Sequence, residues 1–179
     1  MADLYEAILI CIDSSGDKTK DINEFLVNEV LTHYESFVKE TDAQELVSHV
    51  FGNIYNIVDH FGKNIFKDNK TNNLNTSLDR IISLTLKLLK NELPCQIRNK
   101  EADEDEMEHE EDIFDAIKSV CLCFSEKLED DFHNYFSVIF PQLSTYLKPS
   151  YDEDDRQNSF GIIAEVLKHT KISVKFYAK

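Results

Sequence analysis

One apolar template recurs along the chain, and it restricts the fold to helices that pack side by side. Apolar residues occupy positions i, i+4, i+7, i+8, i+11 and i+15, and the segments 113–128 and 132–147 fill every place. Segments that begin at Leu4, Val50 and Leu74 fill part of it. These offsets trace one stripe along a helix of about 3.6 residues per turn. Because such a helix must bury its stripe against a neighbour, the pattern predicts stacked helices.

The positions of glycine and proline agree with an all-α fold. Only four glycines and three prolines occur in 179 residues, too few for a turn-rich β protein. Gly62 and Pro149 mark helix ends, and Pro141 predicts a kink or an offset inside a helix. Asp42 is a predicted N-cap. The predicted helices lie at about 3–14, 21–40, 43–61, 72–91, 110–129, 131–147 and 154–170.

Two segments near the end of the chain carry more specific expectations. The helix at 154–170 is expected to place four residues on one apolar face. The tail from Lys171 alternates polar and apolar residues. It fits a short strand, or better the start of an eighth helix that the chain end interrupts. The four residues expected on the apolar face are Phe160, Ile163, Ala164 and Leu167.

The spacing of the helices favours a repeat architecture. Helix pairs of about 40 residues have the size of a HEAT or armadillo unit, and stacked pairs form a curved solenoid without a closed active-site pocket. The prediction is therefore an all-α HEAT-repeat solenoid of about seven helices in three to four pairs. It covers 1–179 as a single segment and is a fragment of a larger solenoid. A compact helical bundle of similar length has the same periodicity and stays an alternative.

A formal net charge of -15 restricts the partners. Nucleic acid and anionic membranes repel such a surface, so neither is expected to bind directly, and a basic protein is the natural complement. The sequence has no run of eighteen apolar residues, so membrane insertion is not expected. Asp3 and Glu6 lie where a secretory signal would be basic, and the four cysteines form no CxxC pair. Reduced thiols in a cytosolic or nuclear protein are expected.

Carboxylates are concentrated in an acidic loop at about 99–112, where nine of twelve positions from Glu101 to Asp112 are Asp or Glu. A calcium site of the EF-hand type is disfavoured, because it needs a central glycine and none lies between Gly62 and Gly161. Two interpretations remain: a solvated loop that leads into a helix N-terminus, and a contact for a Lys/Arg-rich partner. The candidate contacts are Glu101, Asp103, Glu104, Asp105, Glu106, Glu108, Glu110 and Glu111.

Shorter acidic clusters follow at 130–131 and 152–155. The second cluster either caps the N-terminus of the next helix or contacts a basic partner. The additional candidate contacts are Asp130, Asp131, Asp152, Glu153 and Asp154.

Catalytic, cofactor and metal sites are not predicted. The sequence contains neither GxGxxG nor GxxxxGK[ST], so no phosphate-binding loop is expected. Cys121 lies on the apolar stripe and is expected to pack as a small hydrophobic residue. The histidine nearest to Cys123 along the next helix is His133, and His49 and His60 are too far apart on one helix for a ligand pair. The sequence therefore predicts a protein that is not an enzyme and needs no cofactor.

Three ordered motifs cover about 101–170: EADEDEMEHEEDIFDAI, FHNYFSVIFPQLSTYLKPS and DDRQNSFGIIAEVLKH. Together they resemble the later HEAT repeats of the importin-β (karyopherin-β) nuclear transport receptors. They are most similar to the branch that carries ribosomal proteins and core histones. The residues that match are Tyr135, Phe136, Pro141, Leu143, Tyr146, Leu147, Lys148, Asp155, Arg156, Gly161, Ala164, Glu165 and Val166.

The resemblance implies a nuclear transport receptor segment that binds basic cargo such as ribosomal proteins or histones. Such a receptor shuttles between cytoplasm and nucleus, contacts Phe-Gly nucleoporins and releases cargo under control of the Ran GTPase. The alternatives are a HEAT-repeat scaffold or adaptor unrelated to transport, and an acidic histone-chaperone-like module. In the family the second helix of each pair lines the binding face, which implies exposed lining residues Asp130, Asp131, His133, Asn134, Gln142 and Thr145 on or beside the helix 131–147.

Overall fold

The computed structural model describes residues 31–32, 44–66, 76–93, 96 and 108–177. All the regular secondary structure in these ranges is helical, which confirms the all-α prediction. Two short 3-10 helices are also described: Gly62–Phe66 directly follows the first α-helix, and Glu129–Phe132 joins two later ones. The α-helices are α1 (Gln44–Phe61), α2 (Thr76–Leu89), α3 (Glu108–Leu128), α4 (His133–Tyr146), α5 (Glu153–His169) and α6 (Lys171–Tyr177).

The five longer helices correspond to the five predicted from residue 43 onward. The predicted helices at 3–14 and 21–40 lie outside the described residues, apart from Leu31 and Thr32, so the described ranges hold five long helices rather than about seven. Asp42, the predicted N-cap, also lies outside them. The tail forms α6, which makes the strand alternative wrong and the helical one right.

Among the six described α-helices, alternate ones make the most extensive contacts. Helix α1 packs on α3, and α3 packs on α5, while α2 packs on α4. Helix α4 also contacts α5, and the short α6 lies against α4, α5 and the Glu129–Phe132 turn. The helices therefore form two rows, α1–α3–α5 and α2–α4, and their facing stripes contribute to one hydrophobic core.

The apolar template accounts for most of that core. Every template position of the segment 113–128 is buried in α3. Phe124, at its centre, makes edge-to-face contacts with Phe66 and Phe132, whose ring centroids lie 5.6 and 5.9 Å away. Such aromatic pairs add to stability beyond the area that they bury. Thr85, the polar residue in the α2 stripe, is also buried, because its Oγ1 donates to Ile81 O at 2.9 Å.

Helix α5 is rotated relative to the expectation. Phe160 is 65% exposed and Ala164 is exposed, so they do not share a buried face with Ile163, and Leu167 is half-buried. A polar residue, Ser159, lies in the core instead. Its Oγ donates to Leu143 O of α4 at 2.7 Å, a bond that fixes the rotation of α5. The buried residues of α5 are Ser159, Ile162, Ile163 and Val166.

The helix ends follow local chemistry. Gly62 has a φ of 64°, the left-handed conformation in which glycine often ends a helix, and α1 ends directly before it. Asn91 has a φ of 53° after α2, where Glu92 N donates to Lys87 O at 3.0 Å. This is a Schellman motif with asparagine in the glycine position. Helix α4 runs through Pro141 and ends before Pro149, as the sequence predicts for its end.

Candidate partner-binding surface

The acidic loop falls largely outside the described residues. Glu101, Asp103, Glu104, Asp105 and Glu106 are not described, and neither is the loop as a whole. The backbone of Glu108, Glu110 and Glu111 forms the first turn of α3. Negative charge at a helix N-terminus is stabilised by about 0.3–1 kcal/mol. The last members of the acidic run therefore help to begin α3, and their role as partner contacts stays a prediction.

The cluster at 152–155 begins α5. The side chain of Asp152 is the N-cap, and its Oδ1 accepts from Asp155 N at 2.7 Å, which confirms the capping interpretation for this residue. Glu153 and Asp154 follow in the first turn and are both exposed. Glu153 Oε1 accepts a bond from Gln157 Nε2 at 3.1 Å on the same helix. Only the carboxylate of Asp152 caps the helix, so the exposed carboxylates of Glu153 and Asp154 remain accessible to a basic partner.

Asp130 and Asp131 are exposed, as expected, and both also make contacts inside the chain. Asp130 Oδ1 accepts from Ile172 N at 2.9 Å, at the start of α6. Asp131 Oδ2 lies 3.7 Å from Lys63 Nζ. An exposed ion pair of this kind contributes about 0–1 kcal/mol, so a partner lysine can replace Lys63 at little cost.

Three of the residues expected to be exposed on helix 131–147 are half-buried instead. His133 Nδ1 lies 2.9 Å from Ser173 Oγ, and its ring stacks on Phe176 with centroids 5.0 Å apart, because α6 covers this end of α4. Gln142 Nε2 donates to Leu89 O of α2 at 3.2 Å. The third is Thr145, whose Oγ1 bonds to its own helix. Asn134 is exposed as expected.

The cysteines of α3 are structural. Cys121 and Cys123 are both buried, and burial raises the pKa of each thiol to about 12. The Sγ of Cys123 lies 3.8 Å from Tyr55 O in α1, within reach of a weak hydrogen bond. Thiols with such a pKa stay protonated at neutral pH, and only a thiolate is an effective nucleophile or metal ligand. The prediction that Cys121 packs as a small hydrophobic residue is confirmed.

A small pocket lies where α2 ends and α5 begins, a site that sequence reasoning did not find. Its volume is about 90 Å³. Two α4 side chains hold the nearby end of α2, since Tyr146 Oη donates to Leu89 O at 2.5 Å and Gln142 Nε2 bonds to the same oxygen. These bonds satisfy a carbonyl that a helix C-terminus leaves without a partner. The described residues that line the pocket include Leu88, Gln96, Phe114, Tyr146, Tyr151 and Asp155.

The residues that line this pocket come from four separate parts of the chain. Tyr146 and Asp155 belong to motifs of the family resemblance, but those motifs do not predict a pocket, and only the packing of the helices brings the lining residues together. In the ranges that the structure describes, no group of three or more His, Cys, Asp or Glu side chains is placed to hold a metal ion. None of the helices described is both long and apolar enough to cross a membrane.

No protein-family model matches the chain, and no curated protein matches it either. The function is therefore inferred from the residues, their packing and the sequence resemblance.

Proposed function

We propose that this chain is a HEAT-repeat segment of an importin-β-like nuclear transport receptor and that it binds a basic protein through exposed carboxylates. The observation that carries the proposal is the stacking of alternate helices, α1 on α3 on α5 and α2 on α4. Helix pairs stacked as repeats produce this order, in which each helix contacts the equivalent helix of the next pair. An up-and-down bundle places consecutive helices side by side instead, so the contacts favour the solenoid.

The distribution of charge supports a basic partner. The chain carries a net charge of -15, and Asp79, Asp115, Glu153 and Asp154 are among its exposed carboxylates. Opposite charge steers association and raises its rate, and salt weakens it. Ribosomal proteins or histones are the proposed cargo, as in the receptors that the sequence resembles. The other proposed partners are Ran GTPase and Phe-Gly nucleoporins, and the proposed location is cytoplasmic and nuclear, with passage through the nuclear pore.

Cargo release follows from the same architecture. In a solenoid a small change in the packing of each pair changes the curvature of the whole, and GTP-bound Ran would favour a curvature that binds cargo poorly. The proposed activity is therefore binding and release rather than catalysis. A HEAT scaffold or adaptor, or an acidic histone-chaperone-like module, uses the same acidic surface without Ran or Phe-Gly repeats.

Pulldowns separate these functions. The chain, with any residues that flank it in its gene, is incubated with Ran in its GTP and GDP forms and with a Phe-Gly repeat peptide. A matched peptide in which Ser replaces Phe serves as the control. A transport receptor retains Ran-GTP in preference to Ran-GDP, and the Phe-Gly peptide in preference to its control. A chain that binds neither Ran-GTP nor the Phe-Gly peptide refutes the transport proposal. A chain that binds a histone tail but neither of these two partners indicates an adaptor or a chaperone-like module.

A salt titration tests the acidic surface separately. The affinity for a lysine-rich histone tail is expected to fall steeply between low and physiological ionic strength, because the Debye length shortens to about 8 Å. The double variant Glu153→Gln/Asp154→Asn is compared with Asp79→Asn/Asp115→Asn, which removes the same charge elsewhere. A greater loss of affinity in the first variant locates the contact at the start of α5. An affinity that does not change with salt concentration excludes binding through an electrostatic surface.

A further inference from the structure

Ser150 lies in the turn between α4 and α5, and its side chain is exposed. It is the one serine or threonine of the described ranges that is both exposed and outside a helix. An enzyme that modifies a side chain must bind the backbone around it, and a turn enters a cleft without the loss of helical hydrogen bonds. The other described serines and threonines that are exposed lie in helical segments: Thr32, Ser83, Ser119 and Ser137.

The backbone of this turn is kept out of both neighbouring helices. Pro149 directly precedes Ser150, and a proline nitrogen cannot donate the hydrogen bond that a further helical turn needs. Tyr151 N donates to Lys148 O at 3.1 Å across the turn. Asp152 is extended, with a φ of -67° and a ψ of 176°, and α5 begins only at the next residue. The hydroxyl group of Ser150 is therefore presented on a short non-helical segment.

The residues that follow Ser150 give this segment a pronounced charge pattern. The sequence SYDEDD places carboxylates at the second to fifth positions after the serine. Asp152 caps α5, while Glu153 and Asp154 are exposed in its first turn. Protein kinases select substrates partly by such charge patterns, because basic groups beside the cleft attract carboxylates near the target. The carboxylates are thus the recognition element, and the hydroxyl group is the site.

A guanidinium lies beside the same turn. Arg156 Nη1 donates to Tyr151 O at 2.7 Å, so the side chain reaches back from α5 to the residue next to Ser150. A guanidinium has five N–H donors, and its planar fork matches the oxygens of a phosphate. A phosphate on Ser150 would find this positive charge one residue away. The guanidinium would offset the repulsion between the phosphate and the carboxylates of the first turn.

We infer that Ser150 is phosphorylated by a serine kinase that selects carboxylates after its target, and that the phosphate pairs with Arg156. The Oγ of Ser150 attacks the terminal phosphorus of the nucleoside triphosphate that the kinase binds. A new O–P bond forms as the bond from that phosphorus to the bridging oxygen breaks. The hydroxyl proton passes to a base of the kinase, and the nucleoside diphosphate leaves.

The modification adds charge where a basic partner is proposed to bind. A phosphoserine carries about -1.5 to -2 charges at pH 7 and three acceptor oxygens. It would lie beside the exposed carboxylates of Glu153 and Asp154. The affinity for a lysine-rich histone tail is therefore expected to rise about three- to tenfold on phosphorylation. This consequence rests on the proposed function, whereas the modification of Ser150 does not.

The first experiment locates the phosphate. The full chain is incubated with magnesium ATP and a serine kinase that selects acidic residues after its target, or one that selects arginine before it. Peptide mass spectrometry is expected to find phosphoserine 150 with the first kinase and not with the second. Ser150→Ala should remove the signal, and Ser137→Ala, in the exposed face of α4, should leave it. Absence of phosphate from Ser150, or equal modification by both kinases, would overturn the inference.

A matched pair of double variants tests the recognition element. Glu153→Gln/Asp154→Asn removes two charges beside Ser150, and Asp79→Asn/Asp115→Asn removes two elsewhere. The kcat/KM of the acid-selecting kinase for Ser150 is expected to fall at least about tenfold in the first variant and to stay nearly unchanged in the second. Circular dichroism verifies that both variants keep their helices. Equal rates for the two variants would contradict recognition by these carboxylates.

Phosphorus nuclear magnetic resonance tests the pairing with Arg156. The second pKa of phosphoserine is ordinarily about 6, and a nearby guanidinium lowers it because it stabilises the dianion. The phosphate of Arg156→Gln should therefore titrate at higher pH than that of the unchanged chain. Lys168→Gln, which removes the same charge near the other end of α5, should not change the titration. An unchanged titration in Arg156→Gln would refute the pairing.

The outcomes for Ser150 and for the proposed function are distinct. A chain that binds the histone tail but takes no phosphate on Ser150 overturns the modification site and leaves the acidic surface intact. A chain phosphorylated on Ser150 that binds the tail no more tightly supports the modification site and overturns its link to the partner. Tighter binding after phosphorylation, lost in Ser150→Ala, supports both.

Discussion

The same methyl group, added at two glycines ten residues apart, is expected to change stability in opposite directions. Gly52 lies within α1 and is exposed, whereas Gly62 directly follows the helix with a φ of 64°. A Cβ at either position meets no atom of the described residues within 4 Å. Contacts with the described neighbours therefore do not contribute, and the expected difference between Gly52→Ala and Gly62→Ala comes from the backbone.

The expected magnitudes follow from those two conformations. At Gly52 the backbone is helical, so alanine stabilises the protein by about 0.5–1 kcal/mol through the lower entropy of the unfolded chain. At Gly62 the left-handed conformation costs an L-residue roughly 1–2 kcal/mol, which exceeds the same entropic gain and leaves a net loss of about 1 kcal/mol. The two variants thus differ by about 2 kcal/mol. For a chain of this size that difference corresponds to about 4–8 °C in Tm.

Urea and thermal denaturation, followed by far-ultraviolet circular dichroism, measure this difference. Gly62→Asn is a useful third variant, because asparagine adopts positive φ more readily than alanine and should lose less stability. A Gly62→Ala protein as stable as Gly52→Ala would refute the reasoning. It would mean that the turn after α1 relaxes to an ordinary helical conformation when a side chain is added.

Four further predictions concern the core and the buried thiols. Phe124→Ala removes a side chain that is 0% exposed and is expected to cost about 3–5 kcal/mol in urea denaturation. Ser159→Ala removes the buried hydrogen bond to Leu143 O and should lower the free energy of unfolding by about 1 kcal/mol in the same assay. The sequence alone would suggest a surface position for this serine, where substitution has little effect. Cys121 and Cys123 should react with thiol reagents at about pH 8 only as fast as the chain opens. Burial raises the pKa of each thiol from the ordinary 9.0 to about 12. The thiols of the unfolded chain therefore ionise above pH 9.0, while those of the folded chain stay protonated up to about pH 12. The contribution of the protonated thiols to the free energy of unfolding is complete below pH 9.0 and falls as the pH rises towards 12.

The helices and much of the core could be predicted because their signal is local. All six template positions of α3 are buried, from Ile113 to Leu128. The prediction for α5 was less accurate, since Phe160 is exposed while Ser159 lies in the core. Periodicity predicts that a helix has an apolar stripe. Where the stripe is weak, the rotation of the helix about its own axis is predicted only to within about one residue, or roughly 100°. In α5 a hydrogen bond to α4 decides the rotation, and a sequence does not show that bond.

The surface was harder to predict for a related reason. Polar residues on helix 131–147 were expected to face solvent, yet His133 and Gln142 contact α6 and α2. The pocket is a stronger case, because Gln96 and Asp155 become neighbours of one cavity only after α2, α3 and α5 have packed. Gln96 belongs to no motif, Asp155 belongs to one that does not predict a pocket, and the spacing between the two residues carries no chemical signal.

The two rows of helices differ in how they are joined, and this matters for the proposed release of cargo. Between α2 and α4, Gln142 and Tyr146 both bond to Leu89 O, and Ser159 joins α5 to Leu143 O in α4. Hydrogen bonds to backbone carbonyls fix the register of neighbouring helices, because a slide of even one ångström weakens them.

The contact between α1 and α3 has a different character. It is largely apolar, with the Lys127–Asp59 ion pair at 2.8 Å on its surface and the weak Cys123 bond beneath it. Apolar surfaces can shift by small amounts while remaining buried, since the hydrophobic effect is not directional. A change in the curvature of the proposed solenoid would therefore be taken up between α1 and α3. The α2–α4 row, together with the small pocket at its end, would move as one unit.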